Sequence, residues 1–232
     1  MAGKTRLIPS RRSDSNLPVG PQLSELSPML LDERIIDLSD PEWIAEIKHD
    51  GYRMLGQFGD GKPRLQTRNG ADATKWFPEV AAALSTLGGH GRCVVDGEMC
   101  VLDELGRSDF DQLHERAQRR RWYPGAPEVV YCVFDLLVHA GKSVMGVDLI
   151  QRKALLSSLL TPPPPSMLYV GYFEEHADIL FREAVLPLKL EGLVAKRRHS
   201  LYVPGARSLD WVKVKRKGAV NAQRFKRAAP IR

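Results

Sequence analysis

The feature that most constrains the fold is a series of short, apolar, strand-like segments separated by tight turns. The segments WIAEIK (43–48), YRMLGQF (52–58) and PRLQTR (63–68) follow one another closely, and Asp60-Gly61 between the last two is typical of a hairpin turn. The segment RCVVDGEMCVLDELGR (92–107) has the same form. Strands joined by such short connections pair antiparallel, so the pattern predicts antiparallel sheets.

Helical segments are interspersed among these strands. PEVAAALSTL (78–87), DFDQLHERAQRRR (109–121), DLIQRKALLSSLL (148–160) and EEHADILFREAVL (174–186) are predicted as helices, the third stopped by the four prolines 162–165. Further strands are predicted in 127–142, 167–173, 191–198 and 210–216. The whole predicts an α+β fold of antiparallel sheets with flanking helices.

The net charge of +6 is unevenly distributed along the 232 residues. The last 22 residues hold eight Lys or Arg and no acid, whereas residues 21–210 carry a net charge of −5. This distribution excludes a uniformly basic protein that wraps nucleic acid. We therefore predict a basic flexible arm (1–22), a folded domain (23–216) and a basic tail (217–232).

The cysteines and the apolar runs indicate the compartment. The chain has three cysteines, an odd number, at Cys93, Cys100 and Cys132. They lie in apolar strand-like segments and lack the CxxC spacing of a zinc site, which favours reduced thiols in the core. No apolar run reaches the roughly 18 residues of a membrane span, and the N-terminus lacks the apolar stretch of a signal peptide. We expect a cytoplasmic protein that binds no membrane.

Four charged segments contain candidate binding or catalytic residues. A carboxylate, a glycine and a lysine occur together in EIKHDGYR (46–53) and in EGLVAK (191–196). Strand alternation places two acids on one face in VDGEM (95–99) and two lysines on one face in WVKVK (211–215). Each segment alone has an ordinary interpretation, such as a surface ion pair, a hairpin edge or a solvated strand face. Together they indicate cations for a phosphate and acids for a divalent metal or for ribose hydroxyls.

With these segments the chain resembles the covalent nucleotidyltransferase superfamily, and most closely the ATP-dependent DNA ligases of bacterial non-homologous end joining. The resemblance runs from about residue 25 to residue 216 and implies the adenylation-domain fold. It rests on LSPML (26–30), EIKHDGYR (46–53), TRNG (67–70), FPE (77–79), VDGEM (95–99), VFDLL (133–137), EGLVAKR (191–197) and the spaced motif between Ser200 and Lys215.

The resemblance implies a role for each matching residue. Lys48 is the nucleophile that forms a covalent lysyl-AMP from ATP. Because an ordinary lysine is protonated at neutral pH, we expect its activation to depend on bound metal and nucleotide. The implied nucleotide-binding residues are Glu46 for the adenine amino group, Phe134 for ring stacking, Arg53 and Glu98 for the ribose, Arg68, Lys196, and Lys213 with Lys215 for the α-phosphate.

The resemblance also implies a metal and a DNA substrate. Glu98 and Glu191 are the implied ligands of Mg²⁺ or Mn²⁺, which prefer oxygen donors. Arg68 is expected to meet the 5′-phosphate of a nick. In the tail, Lys217, Arg224, Lys226 and Arg227 are predicted to contact DNA. Nicked or broken duplex DNA is the expected substrate, with Ku or other end-joining proteins as candidate partners. The resemblance also implies a bacterial, nucleoid-associated protein, which we expect to be a monomer.

One departure from the family leaves alternatives open. Family ligases continue after the K-x-K strand into an oligonucleotide-binding (OB) barrel, which the short segment after Lys215 cannot form. We expect either a catalytic fragment or a minimal protein, with impaired self-adenylation. The alternatives are a nucleotidyltransferase that acts on RNA ends, and a weakly active nucleotide- and DNA-binding module that needs a partner for the missing barrel.

Three further features carry an ordinary interpretation beside a functional one. His49 is expected to be neutral and to face away from Lys48. Asp135 is predicted with equal weight to have a structural and a functional role. The basic cluster of Arg116 and residues 119–122 is interpreted first as a helical surface and second as a DNA contact.

Overall fold

A computed structural model describes residues 17–219, and residues 1–16 and 220–232 lie outside the described part. The predicted DNA contacts Arg224, Lys226 and Arg227 therefore lie outside the described residues, as does most of the predicted arm. The division of the chain into arm, domain and tail stays a prediction.

Within residues 17–219 the chain forms ten strands and four α-helices. The strands are β1 (Leu30–Asp32), β2 (Trp43–Lys48), β3 (Tyr52–Phe58), β4 (Arg64–Thr67), β5 (Cys93–Cys100), β6 (Val130–His139), β7 (Lys142–Ser143), β8 (Met167–Tyr169), β9 (Gly192–Arg197) and β10 (Arg207–Lys215). The helices are α1 (Pro78–Thr86), α2 (Phe110–Gln118), α3 (Leu149–Leu159) and α4 (Ala177–Leu180), with a 3-10 turn at Leu23–Glu25 and a π-helical turn at Phe181–Val185.

The strands form two sheets. One has the order β4-β3-β5-β6-β7, with β8 also paired to β6, and the other has the order β1-β10-β9-β2. All pairs are antiparallel except β6 with β8 and β1 with β10, which are parallel. The predicted α+β class with antiparallel sheets is confirmed. The two short parallel pairs join segments far apart in the chain, which hairpin spacing does not predict.

Two apolar layers hold the sheets in place. Between the sheets, Ile44 and Trp211 of the four-stranded sheet pack with Leu55 and Phe134 of the six-stranded one. On the far face of the six-stranded sheet, a second core contains Met54, Tyr131, Leu84 of α1, Leu113 of α2 and Leu156 of α3. Adjacent residues Met54 and Leu55 thus belong to different cores, as strand alternation requires.

Two element boundaries differ from the prediction. The helix predicted over 109–121 ends at Gln118, and Arg120 has a φ of 52°, a left-handed conformation that does not continue an α-helix. The helix predicted over 174–186 starts only at Ala177 and passes into the π-helical turn. No helix within residues 17–219 is long and apolar enough to cross a bilayer.

Residues 18–21 are packed on the domain. Ser143 N–H donates to the Pro18 carbonyl at 2.8 Å, and Gly20 N–H donates to the Gly141 carbonyl at 2.9 Å. The guanidinium of Arg92 donates to the carbonyls of Gly20 and Pro21. The contacts of the domain therefore include residues that the sequence assigned to the arm.

Candidate active site

A cleft between the two sheets collects the predicted nucleotide-site residues. Lys48 is the last residue of β2 in one sheet, and Tyr52 is the first residue of β3 in the other, so residues 49–51 cross between the sheets. A Cβ at Gly51 would lie 2.1 Å from the Met99 carbonyl oxygen, so this turn packs closer to β5 than any other residue allows. The turn thereby fixes the position of Lys48 in the cleft.

A narrow cavity of about 50 Å³ lies in this cleft. Its lining combines apolar residues with six of the predicted site residues, contributed by five different strands. These six are Glu46, Lys48, Arg53, Glu98, Phe134 and Lys196. The sequence prediction that these side chains share one site agrees with this placement, while the role of each stays a prediction.

Glu46 is buried between two lysines. Its Oε1 lies 2.9 Å from Lys153 Nζ, and its Oε2 lies 2.7 Å from Lys196 Nζ. Burial lowers the pKa of Lys196 to about 8, and the nearby Glu46 carboxylate opposes this shift. Lys153 also donates to the carbonyls of Phe134, at 3.2 Å, and Val170, at 2.6 Å. Glu46 is therefore held in one position by two fully buried cations.

Lys153 was missed by sequence reasoning, although a signal exists. In α3, Leu149, Arg152, Lys153 and Leu156 follow the spacing of a single helical face, and all four are buried. Charged residues at core positions of an amphipathic helix indicate buried partners. Arg152 pairs with Asp135 through contacts of 2.8 and 2.9 Å, which supports the structural interpretation of Asp135.

Arg53 is fixed by Asp96, which the sequence grouped with Glu98 as an acid for a metal or for ribose hydroxyls but to which the family resemblance assigned no role. Two hydrogen bonds of 2.6 and 2.7 Å join the guanidinium to the Asp96 carboxylate, which also accepts from Tyr202 Oη at 2.6 Å. The guanidinium carbon lies 4.4 Å from the centroid of the Phe134 ring. Arg53 also pairs directly with Glu98 in the strand register, which places both side chains on the cleft face.

Phe134 presents an aromatic surface flanked by cations. Lys196 Nζ lies 4.4 Å from its ring centroid, and the Trp211 ring meets it edge-on at 6.4 Å. The side chain is 9% exposed. An adenine ring that entered the cavity would meet this aromatic face beside buried hydrogen-bonding groups.

Lys48 is ion-paired with Glu191. The Nζ atom lies 2.6 Å from Glu191 Oε2, and Lys215 Nζ lies 2.9 Å from Oε1 of the same carboxylate. The predicted anion-binding lysines Lys213 and Lys215 thus face different acids, since Lys213 pairs with Glu33 at 2.7 Å. Both lysines remain on the cleft side of β10.

A wider, more polar cavity of about 360 Å³ lies on the other side of Lys48. Its lining includes Asp50, Arg107, Lys189, Glu191 and Arg216. Lys48 borders both cavities. The side chain therefore lies between an aromatic pocket that suits a base and a charged pocket that suits phosphates.

The carboxylates near Lys48 suit Mg²⁺ chemically. Burial raises the pKa of Glu98 to about 7, against the opposing effects of Lys48 and Arg53, so a bound cation would favour its charged form. Glu191 borders the polar cavity on the other side of Lys48. Two carboxylates are a suitable protein contribution for Mg²⁺, which keeps several waters and binds substrate phosphates. The chemistry of each carboxylate therefore fits the implied metal, while the coordination of one ion by both stays a prediction.

The remaining predicted residues lie outside these cavities. Arg68 is exposed in the turn after β4, and its backbone N–H donates to the Arg53 carbonyl at 3.1 Å. Lys217 is exposed after β10. His49, in contrast, borders both cavities, and burial lowers the pKa of its imidazole, which favours the predicted neutral form.

The basic cluster of α2 is divided by the structure. Arg116 is buried and pairs with Glu79 at 2.6 Å, so it acts in the core. The guanidinium of Arg119 stacks 3.9 Å from the Tyr123 ring, and Trp122 is exposed. This placement favours the ordinary interpretation for Arg116 and leaves the DNA contact of the other residues a prediction.

Comparison with known proteins identifies relatives of this arrangement. The profile of the family described as ATP dependent DNA ligase domain matches residues 21–215. The chain is 39% identical over 176 residues to the multifunctional non-homologous end joining protein LigD of Pseudomonas aeruginosa. The matched segment makes up 75% of this chain and 20% of that protein. The chain thus spans about a fifth of the length of this relative.

Solved structures give the same result for the fold. The crystal structure of the ligase domain of Mycobacterium tuberculosis LigD matches with a TM-score of 0.73 at 31% identity, over 84% of this chain and 62% of that one. A mycobacterial DNA ligase D complexed with ATP and MES matches with a TM-score of 0.70 at 31% identity, over 84% and 61% of the two chains. The expected nucleotidyltransferase fold and the resemblance to end-joining ligases are confirmed.

Proposed function

Because this chain belongs to the ATP dependent DNA ligase domain family, we propose that it is an ATP-dependent DNA ligase that forms lysyl-AMP and seals nicks or breaks in DNA. The observation that carries the proposal is the position of Lys48, which borders the aromatic and the polar cavity at once. A nucleophile at this position can reach the phosphorus atom that joins a bound nucleoside to its pyrophosphate.

The chain's own residues supply the binding steps. Phe134 stacks on adenine, and Glu46, held by its two lysines, accepts a hydrogen bond from the adenine amino group. Arg53 and Glu98, opposite each other in the register of β3 and β5, hold the ribose hydroxyls. These contacts place the α-phosphate beside Lys48, which converts the reaction into one between fixed partners.

The chemical step exchanges two bonds at the α-phosphorus. Lys48 Nζ forms the nitrogen–phosphorus bond, the bond to the bridging oxygen breaks, and pyrophosphate leaves with the electron pair. Glu191 Oε2, 2.6 Å from Nζ, is within reach to accept the proton that the amine must lose. Lys213 and Lys215 stabilise the negative charge that develops on the phosphate oxygens.

A divalent cation completes the proposed site. Glu98 and Glu191 would hold Mg²⁺ or Mn²⁺, and the bound ion would supply positive charge to the phosphate oxygens. AMP then passes from Lys48 to the 5′-phosphate of a DNA break, where Arg68 would meet that phosphate, and attack by the 3′-hydroxyl releases AMP. The same proposal includes a role in bacterial end joining, a location on the nucleoid, a monomeric state and Ku as a candidate partner.

Covalent labelling tests the first step. Incubation with α-labelled ATP and Mg²⁺ or Mn²⁺ should leave label on the protein in denaturant, and Lys48→Ala should abolish it. Lys62→Ala, which removes an exposed lysine, serves as the matched control and should label like the original chain. Absence of label with both metals would refute the proposal for this chain.

Transfer of the label tests the acceptor. Labelled protein separated from ATP should pass AMP to nicked duplex DNA and convert the nick to a continuous strand. A nicked RNA duplex is the comparison. Preferential transfer to the RNA end would contradict the DNA assignment while leaving the lysyl-AMP step intact.

A further inference from the structure

A cluster of sulfur and nitrogen donors includes His49, the residue that follows the proposed nucleophile in the chain. A ring nitrogen of His49 and the Sγ atoms of Cys100 and Cys132 all lie within 4.8 Å of one another. Among residues 17–219, these three form the one group of three or more potential metal ligands gathered so closely. The proposed ligase reaction uses none of these donor atoms.

The sheet architecture brings the two sulfurs together. In the register of β5 and β6, Cys132 pairs with Glu98, and Cys100 pairs with Val130, so the two cysteines are diagonal neighbours on one sheet face. Both cysteines are free and buried in the core between the sheets. This burial shields both side chains from bulk water.

The crossing turn supplies the third donor. His49 follows Lys48 in the chain, and a Cβ at Gly51 would lie 3.0 Å from Cys100 Sγ, so the turn packs against this cysteine. The Asp50 N–H donates to Ser108 Oγ at 3.0 Å, which fixes the turn from its other side. Burial and Lys48 keep the imidazole neutral by lowering its pKa, and the neutral ring is the form that binds metals.

We propose that His49, Cys100 and Cys132 form a binding site for a soft divalent cation of the Zn²⁺ class. In tetrahedral zinc sites the Zn–S distance is about 2.3 Å, which places two sulfur ligands about 3.8 Å apart. The three donor atoms, at most 4.8 Å apart, thus need to approach by no more than about 1 Å. Two sulfurs and one imidazole leave the fourth position to a water molecule or another small ligand.

The donor chemistry separates this site from the proposed Mg²⁺ site. Thiolate and imidazole ligands select zinc, copper(I) and cadmium, whereas carboxylates select magnesium. Binding would release the thiol protons, because the thiolate is the coordinating form. Excess Mg²⁺ is therefore expected not to displace the soft cation.

Cobalt(II) titration of the reduced protein tests the site. Co²⁺ adopts zinc-like tetrahedral sites and gives a sulfur-to-cobalt charge-transfer absorption in the near ultraviolet when thiolates bind it. The full chain is expected to bind one Co²⁺ with this absorption in the presence of excess Mg²⁺. Added Zn²⁺ should then remove the absorption by displacing Co²⁺.

The variants assign the ligands. Cys100→Ser and Cys132→Ser should each reduce the charge-transfer absorption to half or less, whereas His49→Gln should retain the band with weaker binding. Cys93→Ser is the matched control, since Cys93 is also buried and free but lies in the other core. Its titration should match that of the original chain.

Two results would overturn the assignment. The first is the absence of a sulfur-to-cobalt band in the folded chain, and the second is an equal effect of Cys93→Ser and Cys132→Ser. Circular dichroism verifies that each variant is folded. If a cysteine variant does not fold, the partly exposed His49→Gln decides the question, since unchanged Co²⁺ affinity in that variant contradicts a site built on His49.

Discussion

At the scale of single residues, the cleft is organised by buried charges that neutralise one another. Glu46 lies between Lys153 and Lys196, and the Arg53 guanidinium is fixed by Asp96. Removing one partner of a buried pair leaves an uncompensated charge, so these contacts determine positions more than they add stability. The proposed nucleotide contacts Glu46 and Arg53 are thereby held in place before any ligand binds.

Lys153→Met tests this arrangement. The change removes one of the two cations beside Glu46 and should lower the free energy of unfolding by about 3 kcal/mol, as expected for a broken buried ion pair. Urea denaturation measures the change. In a Glu46→Gln background the same substitution should cost markedly less, and equal costs in the two backgrounds would contradict a direct Lys153–Glu46 interaction.

The carboxyl group of Glu98 gives a pH-dependent prediction. Its pKa is about 7 in the folded protein against 4.5 for the ordinary group, so the folded state binds the proton more strongly. The contribution of Glu98 to the free energy of unfolding should therefore be largest below pH 4.5. It should fall as the pH rises to about 7, by at most about 1.4 kcal/mol per pH unit.

Glu98→Gln isolates that contribution. The difference in unfolding free energy between the original chain and Glu98→Gln should change between pH 4.5 and pH 7 and then level off. Thermal or urea unfolding across this range measures it. Glu128→Gln, which alters an exposed carboxylate, is the control, and a flat difference for Glu98→Gln would contradict the elevated pKa.

At the scale of elements, the turn between β2 and β3 is the critical connection. It carries the chain from one sheet to the other directly after Lys48, and it packs on β5 at Met99 and Cys100. The positions of Lys48 and of the proposed sulfur–imidazole site thus both depend on residues 49–51. The hairpin between β3 and β4, in contrast, connects neighbours within a single sheet.

Gly51→Ala tests the turn. The added methyl group would lie 2.1 Å from the Met99 carbonyl oxygen, so the backbone must shift. We expect a loss of about 1–3 kcal/mol in unfolding free energy, together with slower labelling of Lys48. Gly146→Ala is the matched control, since nothing lies within 4 Å of the corresponding added atom. Equal stability and equal labelling in the two variants would contradict the tight packing.

At the scale of the whole molecule, the charge is divided between an acidic domain and basic ends. Residues 21–210 carry a net charge of −5, and the cleft within them gathers Glu46, Glu98 and Glu191. A DNA-binding protein with an acidic domain requires a local source of positive charge. The basic residues from 217 to 232 are proposed to supply it by neutralising DNA phosphates.

Deletion of residues 217–232 tests the tail. The deletion removes Lys217, Arg224, Lys226, Arg227 and Arg232, so the magnitude of the slope of log affinity for DNA against log salt concentration should decrease by up to about 4.5. Fluorescence anisotropy at several salt concentrations measures the slope. Labelling of Lys48 should be nearly unchanged, and an unaltered salt slope would contradict a role of the tail in phosphate contacts.

Much of the site was predictable because its signals are local. Alternation along single strands placed Glu46 with Lys48, and Lys213 with Lys215, on common faces, and the turn signals predicted the antiparallel hairpins. The C-terminal end of helix α2 and the beginning of α4 were less well predicted. Apolar periodicity does not reveal where a residue such as Arg120 leaves helical geometry. Residues 18–21 are fixed by contacts to distant parts of the chain, which no local pattern contains.

The sequence by itself determined the fold class, the family and the set of charged motifs, because each depends on spacing within short segments. Only the tertiary structure decided which charges meet: Lys153 with Glu46, Arg53 with Asp96, and Lys48 with Glu191. It also decided that Cys100 and Cys132, which lack any zinc-type spacing, lie beside His49. The physical reason is that these contacts join residues that are far apart in the chain, which strand pairing within each sheet and the packing of helix α3 bring together.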